Sequence, residues 1–210
     1  MVYECIWLYF SVTPCDSIAD IGFVVDSSGS LRRNYGKEKA FVKTLSDSFG
    51  ISADGSRAGI VTFSYNAELS AKLSDYKTGS EFKNAVDRLK FMGYTTRIDK
   101  ALKVAKDELF SKSNGARERV AKILIILTDG AQTRDSDAVD PWTIAETIRN
   151  SGVSVIVVGI GSKVKTSELA RIAGDKSRLF LAKNFDHLNS AAFLKNLSST
   201  SCPPPGMLQN

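Results

Sequence analysis

Three short stretches carry side chains able to do chemistry together: DIGFVVDSSGSL (residues 20–31), GYTTRID (93–99) and ILIILTDG (123–130). In the first, an apolar run ends at Asp26 and is followed by hydroxyls at Ser28 and Ser30. The second places Thr95 and Thr96 ahead of a helical pattern, and the third ends a second apolar run at Asp129. Two carboxylates brought within a few ångströms repel, and one is driven to protonate. Hydroxyls neutralise little of that charge, whereas a divalent cation resolves the conflict. The donors are all hard oxygens, which suit Mg²⁺, Mn²⁺ or Ca²⁺ better than a Cys/His-bound zinc. The D-x-S-x-S spacing lets a tight loop turn alternate side chains toward one point, with Gly29 relieving the backbone. Each stretch alone has an ordinary explanation, since Ser and Thr often cap helices and acids often end strands in α/β folds. The combination, in this order, is what favours a metal site.

Enzymatic readings fit poorly. An aspartyl-nucleophile phosphatase needs a second acid two residues after the first, where Ser28 stands. DSSGS is not the G-x-S-x-G elbow of a hydrolase. GIGSKV (159–164) lacks the third glycine of a dinucleotide loop, with Val164 in its place. The lone histidine, His187, falls at a predicted helix start and reads as a surface or capping residue.

Strands must deliver the two aspartates, and the hydrophobic period supplies them. IADIGFVVD (18–26), RAGIVTFSY (57–65), AKILIILTDG (121–130), VSVIVVGIG (153–161) and RLFLAKNF (178–185) read as strands, and AELSAKLSD (67–75) as an edge strand after a turn at Asn66. Helices are expected over 35–49, closed by Gly50, over 79–90 with a Ser80 cap, and over 97–110, 141–152, 165–174 and 186–199. Strands alternating with helices predict an α/β fold, a mostly parallel sheet covered on both faces. In such a sheet sites form just beyond the carboxyl ends of the strands, where Asp26 and Asp129 lie.

The 210 residues are 43% hydrophobic and 24% charged, enough for one globular domain with a substantial core. The net charge of +5 is spread through helices with both signs interleaved, which reads as a solvated surface and not as a nucleic-acid patch. The cysteines are Cys5, Cys15 and Cys202, with no CxxC pair. A Cys15–Cys202 bridge would tie the two ends of the domain together and imply an oxidising compartment; two unrelated thiols is the alternative. Cys5 is left free or paired outside the chain. The apolar stretch from Cys5 to Val12 is too short for a membrane span and lacks a leading basic residue, so it reads as a clipped signal or the tail of an upstream segment. CPPPGMLQN reads as a linker. The expected organisation is an N-terminal segment (1–17), a domain (18–200) and a proline-rich linker (201–210), as part of a larger multidomain chain. NLS at Asn196–Ser198 matches a glycosylation acceptor but falls in the closing helix.

With these motifs in place, the sequence resembles a von Willebrand factor type A domain of the extracellular-matrix type. DIGFVVDSSGSL matches that family's D-x-S-x-S signature, GYTTRIDKAL its threonine loop and ILIILTDG its second aspartate, within a resemblance spanning 18–199. The resemblance implies a doubly wound six-stranded sheet with one antiparallel edge. It implies that Asp26, Ser28, Ser30, Thr96 (counting back from DKAL, in preference to Thr95) and Asp129 hold Mg²⁺, or Mn²⁺ or Ca²⁺, at a metal-ion-dependent adhesion site. It also brings the domain's two ends close, which makes a Cys15–Cys202 bridge sensible, and suggests a closing helix that moves when ligand binds. No integrin-like extra helix follows the threonine loop. The implied function is non-enzymatic: a secreted adhesion module whose cation captures a Glu or Asp side chain of a matrix or cell-surface protein, without nucleic acid or membrane insertion. The alternative is a metal-indifferent structural domain of a matrix protein. Arg32, Arg33, Arg97 and Arg134 fall on the expected rim, where they either steer acidic partners or are ordinary exposed arginines.

Overall fold

The computed structural model describes residues 14–203. The apolar segment before them, with Cys5, and the tail after Pro203 lie outside the described residues. Six strands form one sheet in the order β3-β2-β1-β4-β5-β6. They are β1 (Ala19–Asp26), β2 (Arg57–Phe63), β3 (Ala67–Ala71), β4 (Ala121–Thr128), β5 (Val153–Ile160) and β6 (Leu179–Ala182). Only the β2–β3 pairing is antiparallel. The order reverses between β1 and β4, so the carboxyl ends of these two central strands flank the crevice where α/β sheets place ligands.

Every residue of β1 is buried, because helices cover both faces. Ile21, Phe23 and Val25 face one core, which they share with α1 (Tyr35–Ser46), α2 (Gly79–Arg88) and α7 (Ala191–Ser201). Val24, on the alternate side, joins α3 (Ile98–Val104), α4 (Pro141–Asn150) and α5 (Thr166–Ala173). Gly22 and Gly59 are paired across β1 and β2. A Cβ at either would fall 2.4 or 2.5 Å from a methyl of Leu109. The two glycines thus make a notch that seats the π-helical turn Ala105–Leu109 at the end of α3. Seating this end fixes the whole helix whose first turn follows Thr96.

Several local expectations change. The edge strand stops at Ala71, where Lys72–Asp75 turns under a hydrogen bond from Lys72 N to Asp75 Oδ2 (2.8 Å). The last strand is shortened to four residues. Thr78, not Ser80, caps α2: its backbone is extended and its hydroxyl accepts from Glu81 N at 3.2 Å. The closing helix is two pieces, α6 (Phe185–Leu188) and α7, because Asn184 and Ser190 each cap a fresh start.

Cys15 and Cys202 form a disulfide with Cα atoms 5.3 Å apart, across 187 residues of sequence. On chain entropy, closing so long a loop stabilises the fold by at most about 5 kcal/mol. Among the described residues no helix is long and apolar enough to cross a membrane.

Candidate metal centre

The first loop leaves β1 at Asp26, which is fully buried. Its Oδ1 accepts from the Ser28 backbone N–H (2.8 Å), which bends the chain back so that Ser28 Oγ comes to 3.2 Å from Ser30 Oγ. Asp26 Oδ2 accepts from Thr128 Oγ1 (2.6 Å), the last residue of β4. Ser30 Oγ donates to Asp129 Oδ1 (2.6 Å), one residue further on. Asp26, Ser28, Ser30 and Asp129 are therefore linked into one cluster across the β1/β4 switch point.

Thr96 enters from the side. The threonine loop docks on the first loop through Gly29 N to Tyr94 O and Gly93 N to Ser27 O, each 2.8 Å. It docks on the loop after β4 through Thr133 N to Thr96 O (2.8 Å). Thr96 is nearly buried, and its Oγ1 would lie 3.2 Å from a Cβ on Gly130, the residue after Asp129. All five residues expected from the sequence thus converge on one rim from three loops.

Arg97 corrects the sequence reading. It is 1% exposed and cannot steer a partner. Its guanidinium donates to both oxygens of Asp99 (2.9 and 2.8 Å), to Asp137 Oδ1 (2.7 Å) and to Asp135 Oδ2 (3.2 Å). Asp99 also accepts from Gln132 Nε2 (2.7 Å) and Val139 N (3.1 Å). The buried fork clamps the threonine loop to the loop after β4. Arg134 is also engaged, with Asp140 (2.6 Å) and Glu168 (3.2 Å), whereas Arg32 and Arg33 are exposed. His187 is half-buried; its Nδ1 accepts from Lys183 N at 3.1 Å, a local structural role.

Burial dominates the electrostatics of Asp26 and of Glu38 beside it. Burial pushes the Asp26 carboxyl up to about 6; hydrogen bonds from Thr128 and Ser28 pull it down, and the Asp129 charge adds to the rise. Glu38, on the inner face of α1, is fully buried, and neither oxygen has a hydrogen-bond partner among the described residues. The Asp26 backbone makes only a marginal contact with it, short of hydrogen-bond geometry. Burial, then the charges of Asp26 and Asp129, raise its carboxyl well above the ordinary range. For Asp99 burial also opposes ionisation, but hydrogen bonds from Arg97, Val139 N and Gln132 together outweigh it and hold the carboxyl at about 2.

The donor set fits a hard divalent cation. Two carboxylates and three hydroxyls supply oxygen only, with too few anions to saturate the ion. Among the described residues no group of three or more His, Cys, Asp and Glu side chains is placed to hold a metal ion, so a cation here would depend on the three hydroxyls beside the two carboxylates.

The fold and these loops define a class, and comparison agrees: the von Willebrand factor type A domain profile matches residues 20–193. The chain belongs to the von Willebrand factor type A domain family. It is 37% identical over 176 residues, 83% of its length, to the collagen α-5(VI) chain of Homo sapiens, of which it spans 6%. It is 32% identical over 192 residues to matrilin-4 of Mus musculus, covering 90% of this chain and 30% of matrilin-4. The chain therefore corresponds to a small part of these relatives. Among solved structures, proximal thread matrix protein 1 from the mussel byssus superposes with a TM-score of 0.83 at 31% identity, over 90% of this chain and 49% of that one. A further structure of that mussel protein has a zinc-occupied MIDAS motif, the family's metal-ion-dependent adhesion site. The manganese-loaded TRAP protein of Plasmodium vivax shares the fold at a TM-score of 0.68 and 19% identity, over 88% of this chain and 74% of that one.

Thr128, Gln132 and the Arg97 clamp were not singled out by sequence. The signal for Thr128 was its place beside Asp129, and for the clamp the acids of RDSDAVD (134–140) following the threonine loop's lone arginine.

Proposed function

We propose that this domain is a non-enzymatic, matrix-binding adhesion module. Asp26, Ser28, Ser30, Thr96 and Asp129 hold one divalent cation, Mg²⁺ or else Mn²⁺ or Ca²⁺, and the cation captures a Glu or Asp side chain of a protein partner. The observation that carries this reading is the Ser30–Asp129 contact (2.6 Å), which joins the loops after β1 and β4 at the switch point. Hydroxyl ligands leave the cation electrophilic, so a partner carboxylate can complete its shell with a charge-assisted bond. Metal occupancy in the mussel relative supports the same use of this rim.

An extracellular setting follows from the collagen VI and matrilin kinship and from the Cys15–Cys202 bridge. The second reading is a metal-indifferent assembly domain. It draws on the hydrogen bonds of Thr128, Ser28 and Ser30, which hold the carboxylates together by themselves. Immobilised domain exposed to extracellular-matrix extract in Mg²⁺ separates the two. The adhesion reading expects proteins released by EDTA and not retained by Asp129→Ala; retention indifferent to both changes supports the assembly domain instead.

A further inference from the structure

Tyr94 sits on the rim between the first loop and Thr96 and is 80% exposed, more than any other large hydrophobic residue described. Its φ is +68°, in the left-handed region that a bulky aromatic side chain rarely adopts. The other described non-glycine residue there, Arg119, lies before β4, at the far end of the sheet. The backbone conformation at Tyr94 is needed, because its carbonyl accepts from Gly29 N at 2.8 Å and so joins the two loops. The approach is close: a Cβ on Gly29 would stand 3.2 Å from that carbonyl. Glycine at position 94 would meet the same demand without strain. The tyrosine ring is thus an addition that packing does not explain, and strained residues with exposed side chains gather where ligands bind.

A second ring shares this rim. Tyr65, just past β2, is 46% exposed, and Lys100 Nζ stands 4.2 Å from its ring centroid. The turn carrying it is tied to the threonine loop by Arg97 N to Ser64 O (2.9 Å). Aromatic rings exposed beside a cation-binding cluster suit a ligand that is acidic at one residue and apolar at its neighbour.

We propose that Tyr94 determines partner specificity: its ring receives the apolar side chain adjacent to the acidic residue that the cation captures. The occupant is an extended protein segment in which Glu or Asp stands beside an apolar residue. This inference rests on the cation-site reading above.

The test uses two synthetic peptides, acetyl-Gly-Gly-Leu-Glu-Gly-Gly-amide and its Ser-Glu counterpart. Each is titrated by NMR into the domain in Mg²⁺ and again in EDTA. The wild type should prefer the leucine peptide by about fivefold, the effect of partly burying one such side chain. Tyr94→Phe should keep that ratio. Tyr94→Gly and Tyr94→Asn, both compatible with a left-handed backbone, should bring it to near one. A wild type without preference, or a preference that survives in the Gly and Asn variants, overturns the proposal. If no peptide binds in Mg²⁺, or binding ignores the chelator, the cation-site reading itself fails and takes this inference with it.

Discussion

Ser30 Oγ donates a 2.6 Å hydrogen bond to Asp129 Oδ1, across 99 residues of sequence. That contact closes the crevice where the strand order reverses, and the threonine loop completes it from the side. Four of the five candidate ligands meet because β1 and β4 are neighbours, with Val25 in register with Leu127. Their C-terminal residues therefore emerge side by side.

Arg97 holds this arrangement from beneath. Arg97→Met removes a buried cation and leaves Asp99 buried without its main partner. Denaturant unfolding should show a loss of about 3–5 kcal/mol. Arg97→Lys keeps the charge but loses the planar fork, and should fall between the two. A methionine variant as stable as the wild type would remove the clamp from the account.

The strands were legible because buried parallel strands are continuous apolar runs. The signature residues were legible because the loops after such strands are where ligands gather. Arg97 was misread for a physical reason. Exposure of a charged residue is a default that its partners alone can overturn, and Asp135 and Asp137 lie 38 and 40 residues away in a loop without period. Glu38 was missed although the pattern held a signal for it: Tyr35, Glu38, Phe41, Val42 and Leu45 share one helical face, and a charge on that face is out of place. The split of the closing helix turned on Asn184 and Ser190, whose capping competes with helix continuation at spacings that hydrophobic period does not register.

Asp99 should leave an acid signature. Its carboxyl lies at about 2 in the fold against an ordinary 3.8, so it contributes stability above pH 3.8 that is lost as pH falls through 2. The amount is on the order of 2 kcal/mol. Unfolding free energy measured from pH 5 to pH 2 should fall less steeply in Asp99→Asn than in the wild type. Equal slopes would contradict this assignment.

Glu38 is the opposite case, a carboxyl whose burial finds no partner. Glu38→Met should raise the stability of the metal-free protein by about 1–3 kcal/mol, the cost of an unsatisfied buried polar group. Thermal unfolding in EDTA reads the change, and a lower midpoint for the methionine variant would show that the carboxyl has a partner in solution.

The glycine notch makes a packing prediction. Gly22→Ala places a methyl against Leu109 Cδ2 and should destabilise by about 1–3 kcal/mol. Leu109→Ala should cost less in the Gly22→Ala background than in the wild type, because the truncation relieves the clash and the added methyl fills part of the space it leaves. Strictly additive losses in chemical denaturation would mean that the helix is not seated there.

Isothermal titration of the metal-free domain with Mg²⁺ and Mn²⁺ bears most directly on the cation site. One ion taken up per molecule, with uptake lost in Asp129→Ala and in Ser30→Ala while the folded spectrum is kept, is the outcome the clustered loops predict. No uptake by the wild type, or uptake unchanged in both variants, would contradict it.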